Sequence, residues 1–183
     1  MSLPEASGRS LLIQPGMTMP GFALPDADGS TVRLKAYRQR RPVLIALLHS
    51  ATCPDCRAWL SQLRAARGDL ASHDVQPLLI FPDDPATLRA LSVEFDRLGA
   101  LLSDPQGAAR ARYLRVESAD SSNGKRLPVL LIAVGRYNDC LDAWAASEPA
   151  QWPPLSELIA TFAFAEQEDC ACGLPVWQET QDS

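Results

Sequence analysis

The chain has 183 residues, of which 46% are hydrophobic and 21% charged, and its formal net charge is −5. This apolar fraction is ordinary for a globular protein and excludes a disordered chain. No apolar run approaches the roughly 18 residues that a membrane span needs, and a pI near 5.0 does not favour nucleic-acid binding. We therefore expect one globular domain with no membrane and no nucleic acid among its partners.

The five cysteines are too few, and odd in number, for a secreted domain that disulfides hold together. Residues 1–14 lack the basic start and long apolar stretch of a secretory signal. We therefore predict a cytoplasmic location, where thiols are kept reduced. A close cysteine pair in that compartment is more often catalytic or metal-binding than structural.

The first elements in chain order are a small hairpin and a buried strand. Short apolar pieces at 22–24 and 31–34 flank the turn formers Asp28 and Gly29, which predicts the hairpin. The continuous apolar run at 42–48 is typical of a strand buried on both faces. Runs at 75–81 and 128–134 have the same character, and a last strand is predicted near 139–144.

Helical patterns fall between these strands. The first helix opens at Cys53-Pro54, and its apolar positions continue at helical spacing to Leu70. The others are predicted from Asp84-Pro85 to about 98, from 103–105 to about Tyr113, and from 153 to about 167. Strands that alternate with helices predict an α/β domain with a central, mainly parallel or mixed sheet flanked by helices.

The residues Cys53-Pro54-Asp55-Cys56 lie where the buried strand meets the first helix. The free N–H groups and the positive dipole end of a starting helix stabilise a thiolate at Cys53. Arg57 is expected to favour that thiolate and Asp55 to oppose it slightly. Cys56 is one turn away and shares the apolar phase, which predicts an exposed attacking thiol and a shielded resolving thiol.

Several stretches resemble the thioredoxin-fold redoxins, in particular the peroxiredoxin-like (AhpC/TSA-type) and TlpA-like branch. They are Pro20–Gly29 with Val32 and Leu34, Thr52–Arg57, Leu102–Gly107 with Tyr113, and Leu127–Val129. The resemblance spans about residues 15–165 and implies a thioredoxin-like fold with an N-terminal β-hairpin extension. We divide the chain into an N-terminal extension (1–14), this domain (15–168) and an acidic, cysteine-containing tail (169–183).

The resemblance also implies roles for residues near the pair. Pro128 matches a position that is usually a cis-proline facing the cysteines, and Ser50 and Thr52 are predicted with it to position the substrate. In peroxiredoxins a proline lies seven residues before the peroxidatic cysteine, and a Thr or Ser lies three residues before it. Here Ser50 fits that pattern, but Ala46 replaces the proline. Arg115 and Arg126 are the candidates for the arginine that polarises a peroxide.

The predicted function is a thiol-disulfide oxidoreductase in which Cys53 attacks and Cys56 resolves. One alternative is a thiol peroxidase with Cys53 as the peroxidatic cysteine, and another is a non-catalytic redox sensor or metal-binding module. No cofactor is expected. The expected partners are an external dithiol reductant such as a thioredoxin-like protein, and a disulfide-containing protein or a peroxide as substrate.

The remaining candidates are less specific. Cys170 and Cys172 form either a second redox pair or two incidental thiols of the tail, and a four-cysteine zinc site with Cys53 and Cys56 is a third interpretation. Cys140 is expected to pack at the last strand. His49 is interpreted as a hydrogen-bonded structural residue, with assistance in proton transfer as the alternative.

Overall fold

The computed structural model describes residues 9–116 and 127–171, and nine strands lie in that part of the chain. In chain order they are β1 (Arg9–Leu11), β2 (Ala23–Pro25), β3 (Thr31–Arg33), β4 (Val43–Leu47), β5 (Gln76–Phe81), β6 (Ala100–Ser103), β7 (Leu114–Val116), β8 (Val129–Val134) and β9 (Cys140–Ala146). Five of them form the central sheet, in the order β6-β5-β4-β8-β9. Its strands β4, β5 and β6 are parallel, whereas β8 runs antiparallel to both of its neighbours.

The central strand β4 is buried along its whole length, as its continuous apolar sequence predicts. Leu47 at its carboxyl end pairs with Ile80 of β5 and with Leu130 of β8. Because β8 is antiparallel, the residues that enter β8 lie beside the residues that leave β4. This pairing brings the segment after β4 and the segment before β8 to one edge of the sheet, and it confirms the predicted α/β fold with a mixed sheet.

The described helices are α1 (Pro54–Ala65), α2 (Arg67–Ser72), α3 (Pro85–Glu94), α4 (Arg110–Tyr113) and α5 (Leu155–Ala171). The prediction of one helix from Cys53 to Leu70 is wrong, because the backbone of Ala66 leaves helical geometry and separates α1 from α2. The prediction of a helix over residues 103–113 is also wrong. The Asp104 carboxylate accepts hydrogen bonds from the N–H groups of 108 and 109, which holds a turn until α4 begins. The last helix begins two residues later than predicted and ends at Ala171.

The predicted hairpin is present as β2 paired with β3. A carboxylate oxygen of Asp26 accepts the N–H groups of Asp28 and Ser30 at 3.0 and 2.8 Å, and Gly29 adopts a φ of +86°, which is costly for other residues. Strand β1 pairs with β7 in a second two-stranded sheet. Residues 9–11 of the predicted N-terminal extension are therefore hydrogen-bonded to the domain.

The core lies on both faces of the central sheet. The side chains of Leu44, Ala46 and Leu48 belong to the cluster on the face covered by α1, α3 and α5, which also contains both cysteines of the pair. The side chains of Ile45 and Leu47 belong to the cluster on the other face. Among the described residues, no helix has the length and apolarity needed to cross a membrane.

Candidate functional site

The candidate site lies where the chain leaves β4 and enters α1. Cys53 is the N-cap residue of α1 and Pro54 is the first helical residue, where the missing N–H of proline costs no hydrogen bond. The carbonyl oxygen of Cys53 accepts the first helical hydrogen bond, from the N–H of Arg57 at 3.0 Å. One helical turn separates Cys53 from Cys56, so the helix geometry alone brings the two thiols together.

Three side chains meet at this point. The Nδ1 atom of His49 lies 3.9 Å from the Sγ of Cys53 and 3.8 Å from the Sγ of Cys56. All three atoms lie within 4.8 Å of one another, and both cysteines are free thiols. The interpretation of His49 as a hydrogen-bonded structural residue, with assistance in proton transfer as the alternative, stays a prediction, and its place beside both sulfurs is the one that the alternative requires. These same three side chains are the ones that could share a metal ion.

The environment of Cys56 keeps this thiol protonated. Burial raises the pKa of Cys56 to about 11, and a hydrogen bond and charge interaction with Cys53 act in the same direction. The backbone N–H of His49 donates to the Cys56 Sγ at 3.4 Å, which opposes the shift without cancelling it. A group that accepts its proton is therefore needed before Cys56 can act as a nucleophile at neutral pH.

The two sulfurs differ less in exposure than the sequence suggested. Cys56 is fully buried, as predicted, but the prediction of an exposed Cys53 is wrong, because this residue is only 5% exposed. Both side chains belong to the apolar cluster under α1. The residues on either side of Cys53 in the chain, Thr52 and Pro54, are exposed.

Asp83, at the end of β5, holds the loop that carries the pair. Its carboxylate accepts the N–H of Ala51 at 2.8 Å and the hydroxyl of Ser50 at 3.3 Å. The hydroxyls of Ser50 and Thr52 are 3.0 Å apart. These contacts fix the loop, whereas the predicted role of Ser50 and Thr52 in substrate positioning stays a prediction.

The charges next to the pair have partners of their own. The guanidinium of Arg57 forms an ion pair with Glu94 and donates a hydrogen bond to the carbonyl of Ala51 at 3.2 Å. Arg57 therefore ties α1 to the end of α3 and to the loop that precedes Cys53. Its expected effect on the thiolate is reduced by this competing carboxylate.

Pro128 lies immediately before β8, at the sheet edge that also carries the end of β4. The expectation of a cis peptide bond here is wrong, because every described peptide bond is trans, which is the preferred state of X–Pro bonds. The carbonyl of Pro128 accepts a hydrogen bond from the guanidinium of Arg110. The same guanidinium donates to the carbonyls of Leu47 and Leu48 at 3.3 and 3.1 Å.

Arg110 thus joins the two segments that frame the cysteine pair. It is not among the site residues predicted from the sequence. Desolvation by burial lowers its pKa to about 10, against the opposing effect of Asp104. It also lines a cleft at this sheet edge together with Leu47, Leu48 and Leu127. A charged residue in a short amphipathic stretch carries no signal that distinguishes this position from an exposed one.

The other sequence candidates are not brought to the pair. Arg115 is exposed on β7, in the two-stranded sheet with β1. Cys140 is buried at the start of β9, as expected, in the core cluster on the opposite face of the sheet. Cys170 lies within α5, but its side chain is outside the described residues, as are Arg126 and Cys172.

Comparison with known proteins gives a family and a fold. The sequence model of the AhpC/TSA family matches residues 15–135 of this chain. A Mycobacterium tuberculosis protein named as a peroxiredoxin is 36% identical over 93 residues, which cover 51% of this chain and 59% of that protein. The match thus spans less than two thirds of the length of this curated relative.

Two solved structures share the fold. A peroxidoxin (BcpB) of Mycobacterium tuberculosis superposes with a TM-score of 0.67 at 20% identity, over 83% of this chain and 97% of that one. A structure described as a thiol:disulfide interchange protein, DsbE, from Chlorobium tepidum superposes with a TM-score of 0.62 at 17% identity, over 82% and 99%. The fold is therefore shared with proteins named for either of two thiol chemistries, and only the site itself can distinguish between them.

Proposed function

This chain belongs to the AhpC/TSA family, and from that premise we propose that it is a thiol-disulfide oxidoreductase whose redox pair is Cys53 and Cys56. One observation carries the proposal: two free thiols lie beside one imidazole nitrogen at the start of a helix. The two sulfurs lie within 4.8 Å of each other and must approach further to reach the S–S length of about 2.0 Å of a disulfide.

Cys53 is the attacking thiol in this proposal. It is the N-cap residue of α1 and so lies at the positive end of the helix dipole. The thiolate attacks one sulfur of a substrate disulfide, the substrate S–S bond breaks, and the departing thiolate takes a proton. The product is a mixed disulfide between Cys53 and the substrate.

Cys56 then resolves the mixed disulfide with His49 as the proton acceptor. The Nδ1 atom of His49, 3.8 Å from the Cys56 Sγ, takes the proton that burial otherwise holds on this thiol. The Cys56 sulfur attacks Cys53, the second substrate thiol leaves with a proton, and a Cys53–Cys56 disulfide remains. An external dithiol, such as a thioredoxin-like protein, reduces this disulfide and completes the cycle.

A thiol peroxidase is the second candidate, favoured by the name of the 36% identical relative and by the spacing of Ser50 and Cys53. Here the Cys53 thiolate attacks a peroxide oxygen, the O–O bond breaks and an alcohol or water leaves, so that Cys53 becomes a sulfenic acid. Cys56 displaces water from it and forms the same disulfide. Ala46, where peroxiredoxins have a proline, counts against this candidate.

The test measures disulfide reduction and peroxide consumption side by side with one dithiol reductant. We expect Cys53→Ser to abolish the activity and Cys56→Ser to accumulate a mixed disulfide of Cys53, detected by mass spectrometry. Cys140→Ser is the matched control, because this third described thiol lies in the opposite core cluster. A Cys53→Ser protein that keeps the full rate in both assays contradicts the proposal, and a faster peroxide reaction selects the second candidate.

A further inference from the structure

The group formed by His49, Cys53 and Cys56 has the geometry of a metal-ligand set. Zinc bonds measure about 2.3 Å to sulfur and 2.0–2.1 Å to nitrogen. A sulfur and a nitrogen bound to one zinc ion therefore lie about 3.5–3.8 Å apart when the bond angle is between tetrahedral and trigonal. The observed separations of His49 Nδ1 from the two sulfurs are 3.9 and 3.8 Å. These two separations match those of a shared ion to within a few tenths of an ångström, and the three ligand atoms all lie within 4.8 Å of one another.

The donor types point to a thiophilic ion. Two thiolates and an imidazole suit zinc and monovalent copper, whereas magnesium and calcium require oxygen ligands. Both sulfurs are buried and His49 is half-buried, so an ion there would be largely shielded from competing water.

We propose that the reduced protein binds one thiophilic d¹⁰ cation, Zn²⁺ or Cu⁺, through His49 Nδ1 and the sulfurs of Cys53 and Cys56. This site goes beyond the redox function and does not depend on it. It also differs from the four-cysteine zinc site considered from the sequence, because it requires neither Cys170 nor Cys172. Three protein ligands leave a fourth position open to water or a small thiol when the ion is tetrahedral.

Binding of the metal ion releases protons from the protein and requires no oxidant or reductant. Each thiol that becomes a metal-bound thiolate releases one proton, and His49 binds through its neutral ring. A Cys53–Cys56 disulfide offers no thiolate, so the oxidised protein lacks two of the three ligands. Metal binding is therefore confined to the reduced form.

The experiment titrates the reduced full-length chain, without substrate, against a chromophoric chelator that holds Zn²⁺, and in a second arm against one that holds Cu⁺. We expect one ion per chain in at least one arm and none after oxidation of the pair. Co²⁺ in place of Zn²⁺ should give the intense near-ultraviolet band of thiolate-to-cobalt charge transfer. The two arms identify which of the two ions the site prefers.

Matched variants separate this site from other histidines and thiols. His49→Ala should weaken binding at least about tenfold, whereas His73→Ala should leave it unchanged, because the ring of His73 pairs with Glu166 instead. Cys140→Ala should likewise bind as the parent does. The double variant Cys170→Ser/Cys172→Ser should also keep its affinity, and circular dichroism checks that each variant is folded.

Three results would overturn the proposal: no stoichiometric binding of either ion, equal affinity in the His49→Ala protein, or loss of binding in the double variant. The test is independent of catalysis, because binding is measured without substrate and the redox assays run in the presence of a chelator. A protein that binds the ion but reduces neither a disulfide nor a peroxide refutes the proposed function alone. A protein that is active but binds no ion refutes the metal site alone.

Discussion

Replacing Arg110 by methionine tests whether one guanidinium holds the two segments that frame the cysteine pair. Methionine keeps an unbranched apolar side chain but removes the donors to the carbonyls of Pro128, Leu47 and Leu48. The carbonyl of Leu47 ends β4, that of Leu48 follows the strand, and that of Pro128 precedes β8. We therefore expect both a loss of stability and a change at the thiols that follow β4.

The expected loss of stability in the Arg110→Met protein follows from two opposing contributions of Arg110 to the free energy of unfolding. Three hydrogen bonds from a charged donor favour the folded state by about 1.5–3 kcal/mol each. Burial of the charge opposes it, since desolvation lowers the pKa of Arg110 from its ordinary value to about 10, and this shift corresponds to about 3 kcal/mol. The difference predicts that Arg110→Met lowers the free energy of unfolding by about 1.5–6 kcal/mol.

Chemical denaturation of the reduced protein measures this loss, and alkylation of Cys53 reports on the site. Arg112→Met is the matched control, because Arg112 lies in the same short helix and is exposed. We expect this control to change stability by less than about 0.5 kcal/mol and to leave the alkylation rate unaltered. Equal stability and equal alkylation rates for the two variants would contradict the role of the Arg110 guanidinium in holding these two segments.

Three further predictions concern single groups. Burial raises the pKa of Cys140 to about 11, so its contribution to stability is complete below the unfolded value of about 8.5 and is lost as the pH rises towards 11. Cys140→Ala should therefore flatten the fall of the unfolding free energy over that interval, measured by denaturation at several pH values. The N–H of Thr87 lowers the pKa of Asp84, so Asp84→Ala should lower the melting temperature at neutral pH. That difference should shrink as the pH falls below about 4, because the Asp84 carboxylate of the unfolded chain takes up a proton before that of the folded protein does. Because burial raises the pKa of Cys56 to about 11, Cys56 in the Cys53→Ser protein should react with iodoacetamide at least about tenfold more slowly at pH 7 than free cysteine does; equal rates would contradict this.

The strands of the central sheet could be predicted from the sequence because each is a continuous apolar run. The hairpin was equally accessible, since Asp28 and Gly29 form a turn from local chemistry alone. The predicted helix over 103–113 failed for a reason that is not visible in local periodicity. The buried carboxylate of Asp104 satisfies the N–H groups of the following turn and delays the helix until Arg110.

The cysteine pair was predicted, but its surroundings were not. Arg110 contacts carbonyls that lie 62 and 63 residues earlier in the chain, and nothing in its local sequence indicates such partners. The burial of Cys53 depends in the same way on elements that pack over the start of α1. Residue spacing therefore identified the candidate redox pair, whereas the groups that surround it are set by tertiary packing.

The position of His49 links the two proposals for this site. A nitrogen close enough to take the proton from Cys56 is also close enough to share an ion with both sulfurs. A bound cation would withdraw the thiolates from substrates, whereas oxidation of the pair would remove the ligands of the cation. Under the two proposals, metal and oxidant compete for the same two sulfurs, so a bound ion should slow oxidation of the pair.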